Sequence, residues 1–91
     1  MTRIRWTTEA AGQLEDIVKH LQKDNPRAGR KVARAILNRV DDLRHFPRLG
    51  RPGEEVEGTR ELHSPPYVIV YRLKDDAAEI LYIWHGAQDW R

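Results

Sequence analysis

The chain has no cysteine, no long hydrophobic run and few aromatic residues. Without cysteine it can form neither a disulfide framework nor a thiolate metal site, and it has no thiol nucleophile. No apolar segment approaches the roughly 20 residues that a membrane helix requires, and the first ten residues lack the apolar stretch of a secretory signal. These absences predict a cytoplasmic protein that has no membrane partner.

Motifs for several common kinds of catalytic site are also missing. The sequence contains no phosphate-binding loop, dinucleotide fingerprint, metalloprotease helix or nucleophile elbow. Its four histidines are scattered, and none stands at metal-ligand spacing from a second histidine or a carboxylate. The sequence therefore predicts neither a metal site nor a cofactor.

Charge is spread unevenly along the chain, although the formal net charge is only +2. Residues 27–51 contain eight Lys or Arg against two Asp, whereas residues 52–91 contain four basic and eight acidic residues. A basic block can meet an acidic partner or a phosphate backbone, or it can be the solvated face of an amphipathic helix. Arg30 and Arg34 are candidate partner-binding residues, and Trp90 is a candidate aromatic anchor.

Hydrophobic periodicity predicts one domain, residues 1–91, with two helices and four strands. The second helix has an apolar stripe in which either Ala35 or Ile36 faces inward. The order β-α-α-β-β-β is typical of an α+β fold in which a two-helix hairpin covers one face of a four-stranded antiparallel sheet. The predicted elements are a strand at 3–6, a helix ending near 23, a helix at 26–46, a loop at 47–59, and strands at 60–63, 67–73 and 78–84.

Three polar residues of the later strands are candidates for chemistry. Arg60 begins a strand, where its guanidinium could hold a phosphate or pair with Glu61 or Glu79. His85 follows an apolar run, where it could transfer protons or bond to the backbone. Tyr71 lies in the middle of a strand, and the alternation there favours a core position over a catalytic one.

The element order and four segments together resemble the RelE/ParE superfamily, the toxins of type II toxin–antitoxin modules. The segments are FPRLGRP at 46–52, REL at 60–62, YVIVYRL at 67–73 and ILYIWHGAQDW at 80–90. The resemblance covers nearly the whole chain. It implies a bacterial protein that is neutralised by a cognate antitoxin and that reaches operator DNA only through that antitoxin.

Members of this superfamily differ in their targets: RelE-like toxins cleave mRNA on the ribosome without a metal, and ParE-like toxins poison DNA gyrase. The nucleases resemble one another in a basic residue where this chain has Val68, and often in an arginine where it has Gln88. They also tend to carry paired lysines where this chain has only Arg60. Because Val68 and Gln88 supply no charge for in-line attack on a phosphate, the resemblance implies a ParE-like gyrase inhibitor.

Two alternatives stay open at this point. In a ribosome-dependent mRNA endonuclease, Arg60 would hold the scissile phosphate and His85 would act as general acid or base, with Tyr71 as a further candidate. In an inactive toxin, the chain would serve only as a corepressor in complex with its antitoxin.

Overall fold

The computed structural model describes residues 1–86. It confirms the predicted α+β class and the predicted order of the helices and main strands. None of the helices within residues 1–86 is long and apolar enough to cross a membrane. The elements are β1 (Arg3–Trp6), α1 (Thr8–Asp24), α2 (Pro26–Asp41), a 3₁₀ turn (Asp42–Arg44), β2 (Arg51–Pro52), β3 (Arg60–Ser64), β4 (Tyr67–Lys74) and β5 (Ala77–His85).

Side-chain caps fix the starts of both helices. The Thr7 hydroxyl accepts a hydrogen bond from the Ala10 amide at 3.1 Å, and the Asn25 side chain accepts one from the Arg27 amide at 3.0 Å. Pro26 occupies the first position of α2, where no amide proton is needed. Since Asn25 alone connects the two helices, they form the antiparallel hairpin that the sequence predicts.

The second helix ends earlier than its periodicity predicts, at Asp41 rather than near Phe46. The chain tightens into a 3₁₀ turn, and the amides of His45 and Phe46 both donate to the Asp42 carbonyl. Pro47 disfavours a helical conformation at the residue before it, so the helix has to unwind ahead of that point.

Within residues 1–86 the sheet has five strands in the order β1-β5-β4-β3-β2, and not the four that were predicted. The extra strand, β2, contains only Arg51 and Pro52, which is too short to leave a periodic signal. The sheet is also not wholly antiparallel, because β1 lies parallel to β5. The helical hairpin carries the chain across the sheet, so that the first strand and the last strand become neighbours.

The core lies between the helical hairpin and one face of the sheet. Ile36, and not Ala35, is the residue of α2 that faces inward, and it is fully buried. A bulge between Val70 and Tyr71 shifts the β4–β5 register, so Val70 pairs with Tyr82 but Tyr71 pairs with Ile80. This shift keeps Tyr71 and Ile80 on the same buried face.

Close packing of α1 against α2 depends on the lack of a side chain at Gly29. A Cβ atom there would lie 3.0 Å from the Val18 carbonyl oxygen and 2.6 Å from Cγ of Gln22. By contrast, a Cβ atom on Gly12 of α1 would meet nothing within 4 Å. The two glycines therefore separate the effect of helix propensity from the effect of packing.

We expect Gly12→Ala to raise the free energy of unfolding by about 0.5–1 kcal/mol, because alanine is the better helix former. Gly29→Ala should lower it by about 1–2 kcal/mol, because overpacking against Val18 outweighs the gain in propensity. Chemical denaturation followed by circular dichroism measures both changes. Equal shifts of the same sign in the two variants would contradict this account of the hairpin.

Candidate functional site

Tyr71 is a structural anchor inside the core. Its ring is completely buried; its hydroxyl donates to the Pro47 carbonyl at 2.8 Å and accepts from the Gly50 amide at 2.9 Å. The ring also needs glycine at position 50, since a Cβ atom there would lie 2.7 Å from Cε1 of Tyr71. Burial raises the pKa of Tyr71, although the Gly50 hydrogen bond and the nearby charge of Arg60 act in the opposite direction. The phenol therefore stays protonated near neutral pH and holds the loop that contains Pro47 and Gly50.

Arg60 also binds this loop. Within residues 1–86 it forms no ion pair with Glu61 or Glu79, the two acidic partners that were predicted. Its Nη1 atom donates to the Gly50 carbonyl at 2.6 Å and lies 3.4 Å from the Arg48 carbonyl. Glu79 instead takes ion pairs from Arg5 at 3.2 Å and Arg72 at 2.5 Å. Two guanidinium groups lower the pKa of Glu79, with the Arg72 hydrogen bond as the largest cause. The predicted pairing of Arg60 with Glu79 is therefore wrong.

His85 lies at the far end of the same sheet face. It pairs with Tyr67 across the β4–β5 ladder, and the two rings meet edge to face with centroids 5.4 Å apart. Arg60 pairs with Tyr71, which stands four residues further along β4. At about 3.3 Å per residue, the backbones of the two candidates are separated by about 13 Å along the strands. The structure thus brings Tyr71 and Arg60 together but places His85 apart from them.

Of the remaining residues that the sequence singled out, the structure describes Arg30 and Arg34. Arg30 and Arg34 are exposed on the outer face of α2, away from both sheet faces. Gln88 and Trp90 lie outside the described residues. No group of three or more potential metal ligands comes together within residues 1–86.

The sheet face opposite the helices carries a cleft of about 510 Å³. Val68 is 3% exposed and pairs with His63 on one side and Trp84 on the other, so it lies at the base of the cleft. Arg51 reaches the cleft from β2, and its Nη2 atom lies 3.1 Å from Nε2 of His63. Since arginine can only donate, this His63 nitrogen is the acceptor.

The rim and the base of this cleft differ in chemical character. Its rim has mixed charge, since Glu54 and Glu61 line it together with Arg51 and His63, and its base is apolar. The position where the nucleases of the resembled superfamily carry a cation is here the buried Val68. In the sequence Arg51 stands in the basic block and in the FPRLGRP segment, but neither places it in a cleft, because its position depends on the pairing of β2 with β3.

We expect Tyr71→Phe to lower the free energy of unfolding by about 1–3 kcal/mol, because it leaves the Pro47 carbonyl and the Gly50 amide without their buried partner. Tyr82→Phe is the matched control, since the Tyr82 hydroxyl makes no hydrogen bond with residues 1–86. It should change stability by less than about 0.5 kcal/mol. Denaturant titration of both variants measures this, and equal losses would contradict the anchoring role.

The raised pKa of Tyr71 also predicts a pH effect. The unfolded chain ionises this phenol at its ordinary value near pH 10, whereas the folded protein resists ionisation. Stability should therefore be unaffected by Tyr71 below that value and should fall as the pH rises above it. Thermal unfolding measured across alkaline pH should show a weaker decline in Tyr71→Phe than in the unaltered chain.

Comparison with known proteins identifies the family of this chain. Residues 4–90 match the family model described as "ParE toxin of type II toxin-antitoxin system, parDE". Y4kP of Sinorhizobium fredii is 42% identical over 90 residues, covering 97% of this chain and 92% of that protein.

Two solved structures share the fold across nearly their whole length. The chromosomal ParDE toxin–antitoxin system of P. aeruginosa has a TM-score of 0.79 at 28% identity, covering 93% of this chain and 96% of that one. The toxin–antitoxin complex RelBE2 of Mycobacterium tuberculosis has a TM-score of 0.67 at 28% identity, with 92% and 96% covered. The chain therefore belongs to the ParE toxin family of type II toxin–antitoxin systems.

Proposed function

We propose that this toxin inhibits DNA gyrase by binding to it, without cleaving RNA. The main support is the geometry of the three candidate catalytic residues. Tyr71 and Arg60 are both bonded to carbonyls of the loop, and His85 stands about 13 Å away along the sheet. In-line attack by a ribose hydroxyl needs a base, a cation and an acid around one phosphate. These residues do not converge in that way.

Two further observations favour a ParE-like over a RelE-like activity. The buried Val68 offers an apolar surface where a nuclease would need positive charge. At equal sequence identity, the fold also matches the ParDE structure with a higher TM-score than the RelBE2 structure. Fold alone does not determine activity, so the site geometry carries more weight than the second observation.

We also propose that a cognate antitoxin holds the toxin inactive in the cytoplasm. The ParDE and RelBE2 structures, which this chain resembles, both come from toxin–antitoxin systems. The cleft on the open sheet face, with its apolar base and mixed-charge rim, offers one surface that a peptide segment of the antitoxin could occupy.

A supercoiling assay with purified gyrase tests the proposal directly. The purified toxin should block supercoiling or trap cleaved DNA at micromolar concentration, and addition of the antitoxin should restore activity. No effect on gyrase at that concentration would rule out this target. If expression of the toxin without its antitoxin fails to arrest growth, the chain is instead an inactive toxin that serves as a corepressor.

We expect His85→Ala to retain gyrase inhibition to within about threefold, since a binding toxin needs no proton transfer and a threefold change is less than about 1 kcal/mol. His20→Ala, which changes an exposed histidine on α1, is the matched control. Primer extension on mRNA after induction should show no new ends in the unaltered toxin. Discrete ends that vanish in His85→Ala and persist in His20→Ala would instead establish the endonuclease.

A further inference from the structure

The outer face of α2 is a row of cations without acidic neighbours in the sequence. Residues 27–40 contain five Lys or Arg and no Asp or Glu. Four of these cations recur at the i, i+3, i+4 and i+7 spacing of a single helix face, and all four are exposed. We call this surface the α2 basic face; it consists of Arg27, Arg30, Lys31 and Arg34.

The charges of this face are not neutralised within the described part of the chain. None of the five ion pairs among residues 1–86 involves any of the four. The fifth cation of the segment, Arg39, is used internally, since it donates to the His63 carbonyl at 3.0 Å and lies 3.7 Å from Asp42. Elsewhere on the surface, Arg5 and Arg72 share Glu79. The α2 basic face is therefore a cluster of four exposed cations that takes part in no ion pair within residues 1–86.

The shape and chemistry of the face fit a phosphate backbone. Arg27 and Arg34 are separated by about 10 Å along the helix axis, a length that spans about three phosphate-to-phosphate intervals, and so about four phosphates, of one strand of duplex DNA. Three of the four cations are arginines, whose planar guanidinium groups bind phosphate oxygens in pairs.

The residues that line the α2 basic face make an acidic protein a poor candidate for its binding partner. The cations line a shallow groove of about 420 Å³ whose other lining residues are Ala35 and Asn38. A tight protein interface is usually centred on a large apolar or aromatic anchor in a desolvated pocket, and this groove offers none. A phosphate backbone needs only cations and polar groups.

We propose that the α2 basic face binds the sugar–phosphate backbone of duplex DNA without reading its sequence. The choice of DNA as the nucleic acid rests on the proposed function, because gyrase acts on duplex DNA and would present it to a bound toxin. The contact would hold the toxin on the gyrase–DNA complex. It adds a binding site to the toxin that is separate from the cleft and the loop anchor.

The test measures binding of the purified full-length toxin to a short labelled duplex of mixed sequence, in the absence of gyrase. Four neutralised phosphates predict a slope of about −3.6 for the logarithm of affinity against the logarithm of salt concentration, or about a 150-fold loss between 50 and 200 mM salt. Arg30→Ala/Arg34→Ala should halve the slope to about −1.8. The control Arg3→Ala/Lys74→Ala removes two exposed cations elsewhere and should leave the slope unchanged.

Several outcomes would overturn the proposal. These are absence of DNA binding at 50 mM salt, an equal effect of the two double variants, and tighter binding of an acidic peptide or of single-stranded RNA under the same conditions. Because gyrase is absent from this assay, its result is independent of the supercoiling assay. If the toxin binds DNA but does not inhibit gyrase, only the proposed target is refuted. If it inhibits gyrase but does not bind DNA, only this inference is refuted.

Discussion

The hydrogen bonds of the Tyr71 hydroxyl are the interaction on which the rest of the structure depends. This single group joins the middle of the sheet to the loop that follows the helices, and it satisfies a carbonyl and an amide that are buried there. Arg60 adds a second attachment to the same loop through the Gly50 carbonyl. Together these bonds set where the chain enters β2, and β2 places Arg51 across from Glu61. The rim of the cleft on the open face therefore depends on a group in the core.

The residues that pack the core and the surfaces proposed to bind partners lie on different sides of the molecule. The face of the sheet toward the helices carries the buried side chains of Leu62, Ile69, Tyr71 and Ile80, and the Tyr71 hydroxyl on this face serves the fold. The cleft of the opposite face and the outer side of α2 are the surfaces to which we assign partners. Of the three residues that the endonuclease alternative requires, Tyr71 and Arg60 bond to the loop, and His85 lies at the other end of the sheet.

The charged side chains of the sheet and those of α2 differ in whether they are paired. Glu79 takes ion pairs from strands on both sides of β5, from Arg5 on β1 and Arg72 on β4. Helix α2 has no such acid between Arg27 and Val40, and the four cations of the α2 basic face are exposed to solvent. A chain of small net charge can thus carry a strong local field, and local field governs electrostatic attraction to a nucleic acid more than net charge does.

The sequence by itself determined the α+β class, the two helices, the three long strands and the core position of Tyr71, because each follows from a local period or a capping residue such as Asn25. It also identified the superfamily from the order of its segments. Only the tertiary structure decided the partners of Arg60, the place of Arg51 beside His63, the fifth strand and the parallel pairing of β1. These features join residues that are ten to more than seventy positions apart. Local patterns do not encode the register between distant strands, and that register decides which polar side chains meet.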